Sequence, residues 1–213
     1  MMSSVFFANM AIGFMRQARK IGSLPLPGRR VGIIRRRLYR SVFASALILC
    51  IADPVTAADH VKVFQRLGPV EVHGDGPNYI QAGLGAFHIR RNRYDQSLAG
   101  GMEARIGKKL LFLGPAFGFL SNTDGGFFGY GGMYSDISIG KIVATVLLGA
   151  GGYRRGDSRD LGGTFQFREE LAVSYQLGNR SRIGIMFSHV SNAGIHDRNF
   201  GENDFLLTCS IPF

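Results

Sequence analysis

The 213-residue chain has only two cysteines, Cys50 and Cys209. Cys50 lies in a segment expected to be removed, so Cys209 would stand alone, which excludes an intrachain disulfide. Long apolar runs are missing too. The most apolar stretch, Ser41 to Ala52, has 12 residues, against the roughly 20 that a membrane-spanning helix needs. A charge excess is also missing from the bulk of the chain. The formal net charge is +10, but nine of the 25 Lys/Arg and only one of the 15 Asp/Glu precede residue 58. Residues 58–213 keep 16 basic against 14 acidic side chains, a net +2. The basic character therefore belongs to the front of the chain, and a nucleic-acid partner is excluded. The 30 glycines match no phosphate-loop spacing, and pairs such as Gly125-Gly126 are read as easing strand curvature and close packing.

What the front does have is an export address. Arg35, Arg36, Arg37 and Arg40 form a basic block ahead of the short apolar run, and Val55-Thr56-Ala57-Ala58 offers small residues for cleavage. That order is a secretory signal. The expected division is a targeting segment at 1–57, of which 1–28 is a candidate for sequence upstream of the true start, and a single domain at 58–213.

The remaining residues alternate. Ile142, Ala144, Val146, Leu148 and Ala150 fall on one face of a strand, and Leu171, Val173, Tyr175 and Leu177 alternate with Gln166, Arg168, Glu170, Ser174 and Gln176. Eight strands are predicted, near 78–90, 97–107, 109–121, 126–138, 141–154, 164–177, 181–191 and 203–213. Connections alternate between tight turns, at 107–108, 139–140 and 178–180, and longer loops, at 90–96, 121–126, 154–163 and 192–202. The fold class expected is all-β: an eight-stranded antiparallel transmembrane β-barrel of the bacterial outer membrane, apolar outside and polar inside. Its long loops point outward from the cell. Arg90, Arg91, Arg93, Arg154, Arg155, Arg159 and Arg198 lie in or beside them, and guanidinium forks suit phosphate.

The last two strands carry chemistry. Ile183, Ile185, Phe187, His189 and Ser191 share a face, so an apolar stripe runs into a histidine and a serine at the outer end of a strand. Their Cα atoms would be about 7 Å apart. Two polar residues on a lipid-facing stripe are costly without a function. A serine hydroxyl becomes a nucleophile when a neighbouring base takes its proton. His189, His196, Asp197 and Glu202 fit no standard metal spacing, so no metal and no dissolved cofactor are expected.

The segment His189-Val190-Ser191-Asn192-Ala193-Gly194 closely resembles the His-x-Ser-Asn signature of the PagL-type lipid A 3-O-deacylases, outer-membrane β-barrel esterases. Asn199 and Gly201 after the signature and the Ile-Pro-Phe at 211–213 resemble the family as well. The resemblance implies hydrolysis of the ester-linked 3-hydroxyacyl chain at position 3 of lipid A, with lipopolysaccharide as substrate and outer-membrane lipids as surroundings. It makes Ser191 the nucleophile, His189 the general base and Asn192 a neighbour of the oxyanion.

The chain departs from the family at the acid that orients the histidine. The family glutamate aligns with Asn203, and the glutamate here is one place earlier, at Glu202. A one-residue shift in a strand reverses the face. Three arrangements stay open. Glu202 reaches His189 through a local bulge, which is the preferred one. Asn203 orients the imidazole alone. Or Glu169, in the outward set of the preceding strand, takes the role. The alternative function is a catalytically weak or inactive outer-membrane barrel with a structural or lipid-binding role.

Overall fold

The structure, a computed structural model, describes residues 61–89 and 96–213. The expected targeting segment and Arg90, Arg91 and Arg93 lie outside the described residues. Ten strands follow in chain order: β1 Val63–Leu67, β2 Val70–His73, β3 Tyr79–Phe87, β4 Ser97–Arg105, β5 Gly114–Asn122, β6 Phe127–Ile139, β7 Ile142–Arg154, β8 Phe165–Gln176, β9 Arg182–Ser191 and β10 Glu202–Pro212. From β3 to β10 each strand pairs antiparallel with the next, and β10 returns to β3. This is the closed eight-stranded outer-membrane barrel that the alternation predicts. Closure removes the unpaired edges an open sheet would present to lipid.

Polarity follows the two-residue period. On β7, Leu148 points outward and is 63% exposed, while its neighbour Leu147 points inward and is fully buried. The inner face is not uniformly polar. Toward the long loops it is apolar, with Phe87, Leu120, Phe128, Met186, Val190 and Leu206 packed together and Leu161 of the β7–β8 loop closing over them. Below that lies a charged layer. Arg168 bonds Asp204 and Glu170, both at 3.2 Å, and Arg105 bonds Glu170 at 3.2 Å. Arg182 bonds Asp136 at 3.0 Å. Tyr130 fits between these groups, its hydroxyl on Glu103 at 2.8 Å. A Cβ at Gly118 would lie 2.6 Å from that hydroxyl oxygen, so this strand needs glycine where the tyrosine crosses. The interior is thus filled by side chains and forms no channel.

Three expectations are corrected here. The strand predicted at 109–121 begins at Gly114, and the tight turn predicted at 107–108 is an eight-residue connection, 106–113. Its apolar letters read as strand, but Leu110 and Leu113 close a reverse turn on each other and Leu111 sits at φ 61°. Second, the β1–β2 hairpin was not predicted. It extends the wall where β5 stops short, β2 pairing with β6 at Val70↔Ile139 and Val72↔Ile137. Asp75, just after β2, ties it to the 106–113 connection through Lys108 Nζ and the Lys109 N–H, both at 2.8 Å. Those two contacts hold its carboxyl down at about 2. Third, Cys209, expected to stand alone, is disulfide-bonded.

Candidate active site

Strand register decides which candidate side chains meet. β9 and β10 pair without irregularity from Glu202↔Val190 to Ser210↔Arg182. Along β9 the set Ile183, Ile185, Phe187, His189 and Ser191 faces outward. Asn203 is directly opposite His189, and its Oδ1 is 2.8 Å from His189 Nδ1. An amide oxygen only accepts, so Nδ1 carries the proton and Nε2 is left as the basic nitrogen. Nε2 faces the place where β10 begins. A Cβ on Gly201 would lie 3.2 Å from His189 Nε2, 2.8 Å from Cε1 and 3.7 Å from Ser191 Cβ. The bare Cα of Gly201 therefore leaves open the space between it and the His189 ring. Gly201 also sits at φ 55°, where glycine is at ease.

The preferred acid is not there. With no bulge in the ladder, Glu202 turns into the barrel and is 1% exposed. Its carboxylate meets His88 Nδ1, lies 3.5 Å from Arg159 Nε, and accepts the N–H of Asn203 at 2.8 Å. Glu202 and His189 are on opposite sides of the wall. Glu169 of β8 is directly opposite His189 on the outer face, one rung from where the sequence had put it, which was opposite Ser191. Phe167 holds that place.

Asn192, expected beside the oxyanion, has a side chain that is fully buried and committed to the loops. Its Nδ2 donates to Leu161 O at 2.9 Å and Arg198 O at 2.7 Å, and its Oδ1 accepts the Gly194 N–H at 2.9 Å. Its backbone N–H donates to Asn199 Oδ1 at 3.3 Å. Asn192 thus laces the β9–β10 loop to the β7–β8 loop. Ala193, at φ 52°, follows on the exposed side, next to the end of β9 at Ser191. The two loops also meet at Gly163, where a Cβ would lie 2.1 Å from the His196 ring.

The loop arginines divide. Arg159 is drawn in toward Glu202 and stacks on Phe200, its guanidinium carbon 5.6 Å from the ring centre. Arg155 pairs with Asp160 at 3.3 Å in the open. Arg154 and Arg198 are exposed. Sequence reasoning missed Gly201 as a site residue and Asn192 as a brace. The first had a readable signal, a glycine immediately before the strand that faces the histidine.

The family model described as lipid A 3-O-deacylase (PagL) matches residues 87–212, which is most of the barrel and all of the site. The chain belongs to the lipid A 3-O-deacylase (PagL) family. A lipid A deacylase PagL from Bordetella bronchiseptica is 38% identical over 53 residues, a stretch that is 25% of this chain and 30% of that protein. The crystal structure of the outer membrane enzyme PagL is 16% identical with a TM-score of 0.48, covering 63% of this chain and 99% of that one. Neisserial surface protein A is 13% identical with a TM-score of 0.47, covering 64% and 97%.

One prediction belongs to this geometry. Gly201→Ala puts a methyl against the imidazole and strains the backbone at φ 55°, both just ahead of the β10 ladder. Displacing a catalytic group by about 1 Å costs around 10²-fold, so turnover should fall by about that factor. Gel mobility of the unheated, folded barrel should stay normal. Wild-type turnover in folded Gly201→Ala would show that the imidazole does not work from the position it holds.

Proposed function

We propose that this PagL-family barrel hydrolyses the ester linking the 3-hydroxyacyl chain to position 3 of lipid A. The observation that supports this best is the Asn203–His189 hydrogen bond on the lipid-facing wall, with Ser191 two residues along the same face. Lipid A is the expected substrate because its ester groups lie at the outer end of the wall, where these residues are.

The steps follow from the side chains. Asn203 holds the Nδ1–H tautomer, so Nε2 takes the proton as Ser191 Oγ bonds to the ester carbonyl carbon. The carbonyl oxygen becomes an oxyanion beside the Ser191–Gly194 turn, whose shape Asn192 fixes. The N–H of Ala193 is the backbone donor closest in sequence that Asn192 does not engage. As the tetrahedral species collapses, the C–O bond to the sugar breaks and the sugar oxygen takes the proton from Nε2. Water, deprotonated by the same nitrogen, then cleaves the Ser191 ester and releases the free 3-hydroxy acid. These residues carry out the cycle without a dissolved cofactor. The barrel would do this in the outer membrane.

The test is mass spectrometry of lipid A incubated with purified protein in detergent. The expected product is lipid A lighter by one 3-hydroxyacyl group, with an equal amount of free acid. Loss of a different chain, or none, would overturn the proposal.

A further inference from the structure

The rung that carries His189 crosses five strands of the wall. It reads Met133 of β6, Leu148 of β7, Glu169 of β8, His189 of β9 and Asn203 of β10. Met133 is 42% exposed on the outer face, and like Leu148 it is an ordinary lipid-facing residue. Above and below Glu169 on the same face of β8 are Phe167 and Leu171. A carboxylate is out of place in such a row, because a charge on the lipid face is costly unless something uses it. Glu169 is half-buried and makes no ion pair or hydrogen bond among the described residues.

His189 has a matching need. Once it takes the serine's proton it is an imidazolium in a poorly solvated place. Its Nδ1–H is held by an amide, which orients the ring but brings no negative charge to offset the cation. Directly paired residues in a ladder have Cβ atoms about 4.5–5.5 Å apart, which puts the Glu169 carboxylate within reach of the ring from the side opposite Asn203.

We infer that Glu169 is a positioning residue that supplies this charge, so that the two tasks of a triad carboxylate are divided between two strands: Asn203 fixes the tautomer and Glu169 stabilises the imidazolium. This rests on the serine-esterase reading above. Glu169 takes no part in the proton transfers, which all pass through His189. The other charged groups on the strands flanking His189 are Arg168 and Glu170 of β8 and Glu202 and Asp204 of β10, and the alternation turns all four into the barrel. In the adjoining loop, Asp197 and Arg198 are exposed and His196 packs on Gly163.

The experiment measures kcat, KM and the pH dependence of kcat for the full chain in detergent with lipid A. The variants are Glu169→Gln, Glu169→Asp, Asn203→Glu, and Asn203→Glu with Glu169→Gln. Removing a carboxylate that faces a histidine lowers the histidine's pKa. Glu169→Gln should therefore move the acid limb of kcat down by about one pH unit, with kcat at its plateau reduced about 10- to 100-fold and KM little changed. Glu169→Asp should keep the limb within a few tenths of a unit. Asn203→Glu places a carboxylate on Nδ1, and in that background Glu169→Gln should cost less than about threefold, since the charge is no longer needed. Equal losses in both backgrounds, an unmoved acid limb, or full activity in Glu169→Gln would each overturn the inference. Ser191→Ala, run beside them, separates the two claims: hydroxy-acid release by Ser191→Ala removes the esterase reading itself, whereas an inert Ser191→Ala with an unaffected Glu169→Gln removes only the role of Glu169.

Discussion

Ser191→Ala and His189→Ala should each cut the release of 3-hydroxy fatty acid from lipid A by roughly 10⁴-fold or more, because in the proposed mechanism nucleophile and base act as a unit and losing either forfeits nearly the whole effect. The double variant should be no worse than either single one. Both side chains face outward, and among the described residues the one partner of His189 is Asn203 on the neighbouring strand. The variants should therefore fold, showing the normal shift in gel mobility between heated and unheated samples. Release measured by mass spectrometry against that folded control checks the expectation. Activity surviving in Ser191→Ala would mean that another group attacks the ester.

The second large effect concerns the scaffold. Arg168→Met should destabilise the barrel by about 3–5 kcal/mol, since it leaves the buried Asp204 carboxylate without its counter-charge and Glu170 with Arg105 alone. Arg168 joins Asp204 on β10 to Glu170 on its own strand, and its guanidinium carbon lies 4.9 Å from the centre of the Tyr130 ring on β6. Ser188 also donates to Asp204, so a single deletion disturbs partners on three other strands. A loss of that size is a large part of the whole stability of a typical domain, about 5–15 kcal/mol. Urea titration in detergent should show the midpoint falling steeply. Adding Asp204→Asn and Glu170→Gln should recover much of it, by removing the orphaned charges. Arg155→Ala makes the contrast: its pair with Asp160 is 57% and 52% exposed, and such pairs contribute at most about 1 kcal/mol. Equal midpoints for Arg168→Met and Arg155→Ala would mean that the charged layer does not hold the wall together.

The barrel was legible because its signal is strictly local. Two residues per repeat is enough to sort Leu147 from Leu148 or Arg168 from Glu169, and closure follows from eight such strands with alternating turn lengths. The beginning of β5 was not legible, since Leu110, Leu111 and Leu113 look like strand residues and only the backbone of Leu111 shows that the chain doubles back. The β1–β2 hairpin was missed for a related reason: its strands are four and five residues long, too short for a period to stand out. At the site, His189 and Ser191 were visible from spacing alone. The same two-residue rule already placed Asn203, and not Glu202, on the outer face; preferring Glu202 meant assuming a bulge that the ladder lacks. The work of Asn192 could not be read, because its partner Leu161 is 31 residues away and is brought there only by the loops.

The filled interior, taken with a site on the outer wall, sets the dimension in which substrate is met. No path leads to Ser191 through the barrel, so a lipid reaches it sideways, by drifting within its own leaflet. Encounter is then two-dimensional. The quantity that governs rate is the mole fraction of substrate in the surface around the protein, and bulk molarity matters only through it. At fixed amounts of enzyme and lipid A, extra detergent dilutes that surface and slows turnover, even though nothing in the surrounding water has changed.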